Sequence, residues 1–173
     1  MSKFKLFPEE SNFWSFSDYQ CVLDVMERLC PKRVLEFGPG YSTLALVEGG
    51  AKSIVCLESE DVWLETWRER HGSFPQIEIL QYFYFCGTPV YPWLEDFDLG
   101  LVDGPHCTEE RPSAIRYCLK HCEAVLVPTE DEGRKAESFL RPHIVSLAEE
   151  FNCSLEWMET GPKAGGFALM VKR

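Results

Sequence analysis

Short apolar runs that end in glycine, proline or carboxylate recur along the chain, and helix-forming stretches follow most of them. That alternation limits the available folds more than any other feature. Parallel strands need a crossover of a dozen or more residues between them, usually a helix, and strands covered on both faces read as near-continuous Val, Ile and Leu. The runs Arg33 to Phe37, Ser53 to Leu57, Gln76 to Tyr82, Phe97 to Val102 and Ala124 to Val127 suit such strands. An α/β architecture follows, with a mostly parallel sheet and helices on both faces.

The connecting segments sharpen the expectation. Ser17 or Asp18 can cap a first helix whose apolar positions Val22, Leu23, Val25, Met26 and Leu29 recur at helical spacing, up to Pro31. Further helices are predicted over Ser42 to Val47, Val62 to His71, Glu109 to His121 and Glu132 to Phe151, the last with a break at Pro142. After the third strand, Cys86 to Pro92 is rich in turn residues, so a loop with a short turn of helix at Trp93 to Asp96 is expected. Cys153 to Glu159 and Gly166 to Val171 are too close in sequence for a parallel crossover and predict an antiparallel hairpin.

A chain of 173 residues fits one domain, here residues 17-173 after an N-terminal segment 1-16, and no internal repeat or low-complexity stretch divides it. The net charge of -11 opposes contact with phosphate backbones, so no nucleic-acid partner is expected. No apolar run is long enough to cross a bilayer, and the N-terminus has too short an apolar stretch before Pro8 for a secretory signal. The expectation is a cytoplasmic protein with no membrane partner, its eight cysteines held as reduced thiols.

In open α/β sheets, ligands bind beyond the carboxyl ends of the strands, where strand order reverses. Those ends carry Glu36 to Tyr41, Glu58 and Ser59, Tyr82 to Tyr84, Asp103 to His106, and Thr129 to Asp131. Carboxylates and aromatics suit a cationic, adenine-bearing ligand better than a phosphate. Gly38 and Gly40 allow a tight turn and a close backbone approach, and the helix from Ser42 aims free amides at the same place. The third glycine of a dinucleotide site would fall at Thr43, which disfavours a nicotinamide enzyme. The alternative reading of the glycine pair is a tight β-α connection without ligand. Glu58 stands about twenty residues after Gly38, the interval of a ribose-binding carboxylate, although it could simply open the next helix.

The segments Val34 to Thr43, with Glu58 and Phe97 to Pro105, resemble the class I S-adenosylmethionine-dependent methyltransferases, in particular the small O-methyltransferase-like branch. The likeness in element order spans Ser17 to Arg173. It implies a single-domain Rossmann-like methyltransferase fold, with a seven-stranded mostly parallel sheet, an antiparallel last strand and helices on both faces. It also implies S-adenosylmethionine as cofactor. By position, Glu36, Gly38 and Gly40 would surround its methionine part and Glu58 its ribose, while Tyr82 to Phe85 would lie near adenine in place of the usual small-acid pair. Tyr41, Ser42, Ser59 and Asp103 complete the implied cofactor set. Metal-dependent relatives place a carboxylate after the fourth strand and an Asp-Asn pair after the fifth. Asp103 matches the first, but Pro128 to Asp131 does not reproduce the second, which argues against a divalent metal even though Asp103, Glu130 and Asp131 offer hard oxygen ligands.

Methyl transfer needs an aligned nucleophile and a base to take its proton. His106 is the first candidate, oriented by Asp103; the alternatives are a loop histidine bound to backbone and a turn-forming aspartate. Trp14, Phe16, Tyr41, Tyr91 and Trp93 are candidate pocket walls or ordinary packing. His106, Cys107, Cys118, His121 and Cys122 could assemble a zinc site, but the Cys118 to Cys122 spacing within a helix reads better as core thiols. The expected activity is methylation of a small-molecule acceptor, at oxygen ahead of nitrogen. A non-catalytic cofactor- or partner-binding protein is the alternative. With no added lid, the pocket is either small and open or completed by a second copy in a homo-oligomer.

Overall fold

A computed structural model describes residues 16–85, 88–92, 94–105, 110–129, 136–159 and 166–173. In chain order the elements are α1 (Phe16–Leu29), β1 (Arg33–Phe37), α2 (Tyr41–Glu48), β2 (Ser53–Glu58), α3 (Asp61–His71), β3 (Ile77–Gln81), β4 (Phe83–Phe85) and β5 (Thr88–Val90). They continue with β6 (Phe97–Val102), α4 (Arg111–His121), β7 (Cys122–Pro128), α5 (Ala136–Glu150), β8 (Cys153–Glu159) and β9 (Gly166–Lys172).

Seven strands form one sheet in the order β3-β2-β1-β6-β7-β9-β8. β1 pairs in parallel with both β2 and β6, and β2 with β3 and β6 with β7 are parallel too. The final strand β9 runs antiparallel to β7 and β8, between which it lies. The chain winds outward from β1 to β3 and then returns to β6 on the other side of β1, so strand order reverses between β1 and β6. That is where a crevice opens in such sheets.

Alternation along the strands sends side chains to two cores. Val34, Ile54, Cys56, Leu99 and Leu101 pack with Tyr19, Val22, Val25 and Met26 of α1 and with Ala45 and Leu46 of α2. Leu35, Phe37, Leu57, Val125 and Val127 pack on the opposite face with Ala114, Ile115 and Leu119 of α4 and Leu140, Ile144 and Leu147 of α5. Cys118 and Cys122 belong to this second core, and a Cβ on Gly100 would sit 3.0 Å from the Cys118 sulfur. The glycine makes room for thiols, so these two cysteines are core residues.

Three local expectations are corrected. α1 already includes Phe16, so Ser17 and Asp18 lie in its first turn instead of preceding it. α5 runs unbroken through Pro142, which is exposed. The segment after β3 is a small antiparallel hairpin, β4 with β5, and residues 94–96 carry no helix. The aromatic and β-branched residues Phe83, Tyr84, Thr88 and Val90 favour strand, and Pro89 is tolerated because a two-stranded ribbon consists only of edges. Long-range contacts hold it. Tyr84 donates its hydroxyl to the Glu110 carboxylate, and Tyr91 packs edge-on against Phe37 at 5.1 Å and tilted against Tyr117 at 4.6 Å. No helix among the described residues is long and apolar enough to cross a membrane.

Candidate functional site

Three strand ends meet at the reversal point through backbone bonds. The Phe37 carbonyl accepts the N–H groups of Asp103 at 3.0 Å and Gly104 at 2.7 Å, while Gly38 N–H donates to the Leu57 carbonyl at 3.0 Å. Gly38 has a φ of +77°, and a Cβ there would stand 2.7 Å from the Gly104 nitrogen. The turns after β1 and β6 therefore touch backbone to backbone, and both positions require glycine for that reason alone. Gly40 differs. A Cβ on it would find nothing nearer than the Ser42 hydroxyl and Trp67 ring at 3.9 Å, so no internal contact demands glycine there.

The turn into α2 is held by a buried carboxylate. Glu36 is fully buried and accepts hydrogen bonds from the Ser42 hydroxyl at 2.6 Å, the Thr43 hydroxyl at 2.6 Å and the Cys56 thiol at 3.2 Å. Thr43 also accepts the Gly40 N–H at 2.9 Å, which leaves its own hydrogen for Glu36. A continuous line of bonds thus runs from the glycine turn to the core. Burial pushes the Glu36 carboxyl up to about 7, against the three donors that lower it, and the nearby Asp103 charge raises it further. Glu36 and Ser42 bond to each other, so their side chains brace the turn. The residue that replaces the third glycine, Thr43, is part of that brace.

Tyr41 opens α2 and meets Trp67 of α3 edge-on at 6.1 Å. Across the crevice, Glu58 ends β2 and its Oε1 accepts the backbone N–H groups of Ser59 at 2.7 Å and Glu60 at 2.9 Å. The carboxylate is fixed by its own turn, before α3 begins at Asp61. Tyr82 is placed differently from the others: it is 2% exposed, its ring sits between Phe37 and Tyr91, and its hydroxyl lies 3.5 Å from that of Tyr84. The ring is core and only its oxygen reaches the strand-end side. Burial raises its phenol, opposed by Ser59 and Tyr84.

Asp103 is half-buried at the end of β6, and the loop it belongs to is gripped by Arg111. That side chain is 1% exposed and donates to the Asp103 carbonyl at 2.8 Å and the Pro105 carbonyl at 3.2 Å. Sequence reasoning missed Arg111. A cation at the first position of a helix opposes the helix dipole, and that misfit with α4 was the available signal. The expected base His106, with Trp14, Trp93, Cys107, Glu130 and Asp131, lies outside the described residues. Among the described residues no group of three or more His, Cys, Asp or Glu side chains is arranged to hold a metal ion.

No family model matches the sequence, and no curated protein matches it. Solved structures do match. An O-methyltransferase from Bacillus cereus, in complex with S-adenosylhomocysteine, aligns over 95% of this chain and 84% of its own, with a TM-score of 0.69 and 17% identity. TomG from Streptomyces achromogenes, an O-methyltransferase of tomaymycin synthesis in complex with S-adenosylmethionine, aligns over 92% and 82%, with a TM-score of 0.68 and 18% identity. The 23S rRNA methyltransferase ErmE aligns over 94% of this chain and 70% of its own, with a TM-score of 0.65 and 18% identity. The chain has the seven-stranded Rossmann-like fold of these methyltransferases, and the neighbours named for oxygen and for rRNA share it.

Proposed function

We propose that this chain binds S-adenosylmethionine where the ends of β1, β2 and β6 meet, and methylates a small-molecule acceptor at oxygen. The observation that supports this best is the pairing of a rigid glycine turn with the Glu58 carboxylate at the neighbouring strand end. Gly40 adds the fit: a Cβ there would meet Ser42 and Trp67 only at ordinary van der Waals distance, 3.9 Å, so the glycine is not required by the protein's own packing. The two neighbours named O-methyltransferases carry this cofactor or its product in their structures. Acidic surface charge favours a small acceptor over RNA, because phosphate contacts rely on Lys and Arg.

Under this reading the Tyr41 and Ser42 amides at the N-terminus of α2 hold the cofactor's carboxylate, and Glu58 with Ser59 holds the ribose hydroxyls. Glu36 positions those amides through Ser42 and Thr43 instead of touching the ligand. When bound, the cofactor supplies an electrophilic methyl carbon. The chain must then orient an acceptor oxygen in line with it and remove the oxygen's proton. Asp103, on the loop that Arg111 fixes, is the orienting carboxylate, and His106 three residues on is the assigned base. No metal enters this scheme. The six described cysteines are free thiols, in keeping with a reducing cytoplasmic location, and a second copy of the chain is the proposed source of any missing pocket wall.

Calorimetric titration with S-adenosylmethionine and S-adenosylhomocysteine tests the reading. Saturable binding is expected, weakened about tenfold or more by Glu58→Ala and by Gly40→Val. Gly40 is the position to substitute, because a side chain on Gly38 would strike the Gly104 backbone and disturb the fold itself. A folded protein that binds neither ligand sinks the proposal; binding without turnover in an acceptor screen leaves a cofactor-binding protein.

A further inference from the structure

His71 ends α3 and is 2% exposed, yet neither of its ring nitrogens makes a hydrogen bond. The imidazole stacks flat on Trp67, with centroids 5.1 Å apart and planes 10° apart. Trp67 in turn lies against Tyr41 and under Gly40. The Gly40 carbonyl is close enough to the imidazole to favour its protonated form, but it stands outside the geometry of a formed hydrogen bond. Burial and the Arg70 charge outweigh it and hold the ring's titration below the ordinary histidine range. Near neutral pH the ring is therefore uncharged and carries one N–H donor.

Packing alone gives no reason for a histidine here, since a phenylalanine would stack on Trp67 without burying two unbonded polar atoms. The Gly40 to Tyr41 peptide supplies the reason. It is not among the cis bonds, and in a trans peptide the carbonyl and the following N–H point in opposite directions. Gly40 is the N-cap of α2, so its carbonyl faces along that helix and the Tyr41 N–H points out of the helix N-terminus; a second donor on that carbonyl, from α3, would hold the peptide in this orientation.

We propose that His71 is a positioning residue: its ring N–H captures the Gly40 carbonyl as ligand loads the turn, and this aims the Tyr41 amide at the ligand. The inference rests on the cofactor reading above and assigns a role to a residue two elements away from the glycine turn. The structure shows no formed hydrogen bond at either ring nitrogen, and capture of the carbonyl would satisfy one of them.

Two measurements on the full chain test it, both with S-adenosylhomocysteine as the probe. Long-range proton-nitrogen spectra of the histidine rings, with His71 assigned by its ring contacts to the stacked Trp67, should show the His71 nitrogens shifting to a hydrogen-bonded donor at saturation. Calorimetry should show about tenfold weaker binding for His71→Phe, with His71→Asn or His71→Gln, whichever places its amide N–H at the right reach, recovering most of it. Ring resonances that stay in place at saturation, or a His71→Phe variant that binds as tightly as the unaltered protein, overturn the assignment. The spectra need no variant to be stable, so a poorly folded substitution does not shield the idea. Failure of the unaltered protein to bind the probe is a different result: it removes the cofactor reading, and this inference with it.

Discussion

The turn after β1 and the segment after β3 leave the same edge of the sheet, yet they are held by opposite means. The first is polar and short in range: Glu36, Ser42 and Thr43 lie within seven positions, with Cys56 from the adjacent strand closing the set. The second is mainly aromatic and long in range, with Tyr91 packed on Phe37 at 5.1 Å and on Tyr117 at 4.6 Å, and with only single phenol hydrogen bonds from Tyr84 to Glu110 and from Tyr117 to the Pro92 carbonyl. Directional bonds around a buried carboxylate fix where backbone amides point. Ring contacts fix only that surfaces stay together. The first kind of region suits a site that must present amides to a ligand, and the second suits a wall that can vary.

The difference can be broken most severely at Gly38. Gly38→Ala places a Cβ 2.7 Å from the Gly104 nitrogen at a φ of +77°, so denaturant unfolding should show a loss of about 3 kcal/mol or more. A variant as stable as the parent would mean that the two turns do not touch as described.

Glu36→Gln comes next, read through pH. The folded chain raises the Glu36 carboxyl from 4.5 to about 7, so the folded state holds that proton more tightly than the unfolded state. The group's contribution is complete below about pH 4.5 and is lost as pH rises through about 7, an effect on the order of 3 kcal/mol. Stability of the parent relative to Glu36→Gln should therefore fall between about pH 5 and about pH 8; a constant difference would mean an unshifted carboxyl.

The aromatic region should respond more weakly. Tyr117→Phe removes one hydroxyl bond to the Pro92 carbonyl and keeps the ring, so about 1 kcal/mol, or a few degrees in Tm, is expected. Smallest of all is Phe83→Thr combined with Val90→Thr. These cross-strand partners are 62% and 52% exposed, and the thermal midpoint should move by less than the equivalent of about 0.5 kcal/mol for each. A larger loss would show that something covers this face of the hairpin.

Legibility in the sequence followed the same division. β1 carries the expected bounds Arg33 to Phe37, and β2, β6 and the terminal β8 to β9 hairpin lie within a residue or so of expectation, because each is set by apolar period and by the turn residues beside it. The glycine pair was readable as a turn, but not that Gly38 answers to Gly104 while no internal contact demands glycine at Gly40. Tyr82 stands directly after β3 as expected, but that its ring is buried between Phe37 and Tyr91 depends on partners far away in sequence. Arg111 was passed over because its partners are backbone carbonyls, which leave no mark in residue type, and His71 because its burial and its lack of a hydrogen-bond partner appear only in the folded chain.

The sequence by itself determined the order of elements, the parallel sheet with its antiparallel close, and the strand ends where chemistry must sit, because these depend on relations among neighbours a few positions apart. Only the tertiary structure decided which glycine is structural, that Glu36 is a brace, and that the segment after β3 is a hairpin. The Gly38 to Gly104 contact joins residues tens of positions apart, and its free energy exists only once the sheet has brought the two turns together; the Glu36 brace and the β4 to β5 pairing join residues close in sequence, but which side chains face each other there depends on how the chain turns off the sheet.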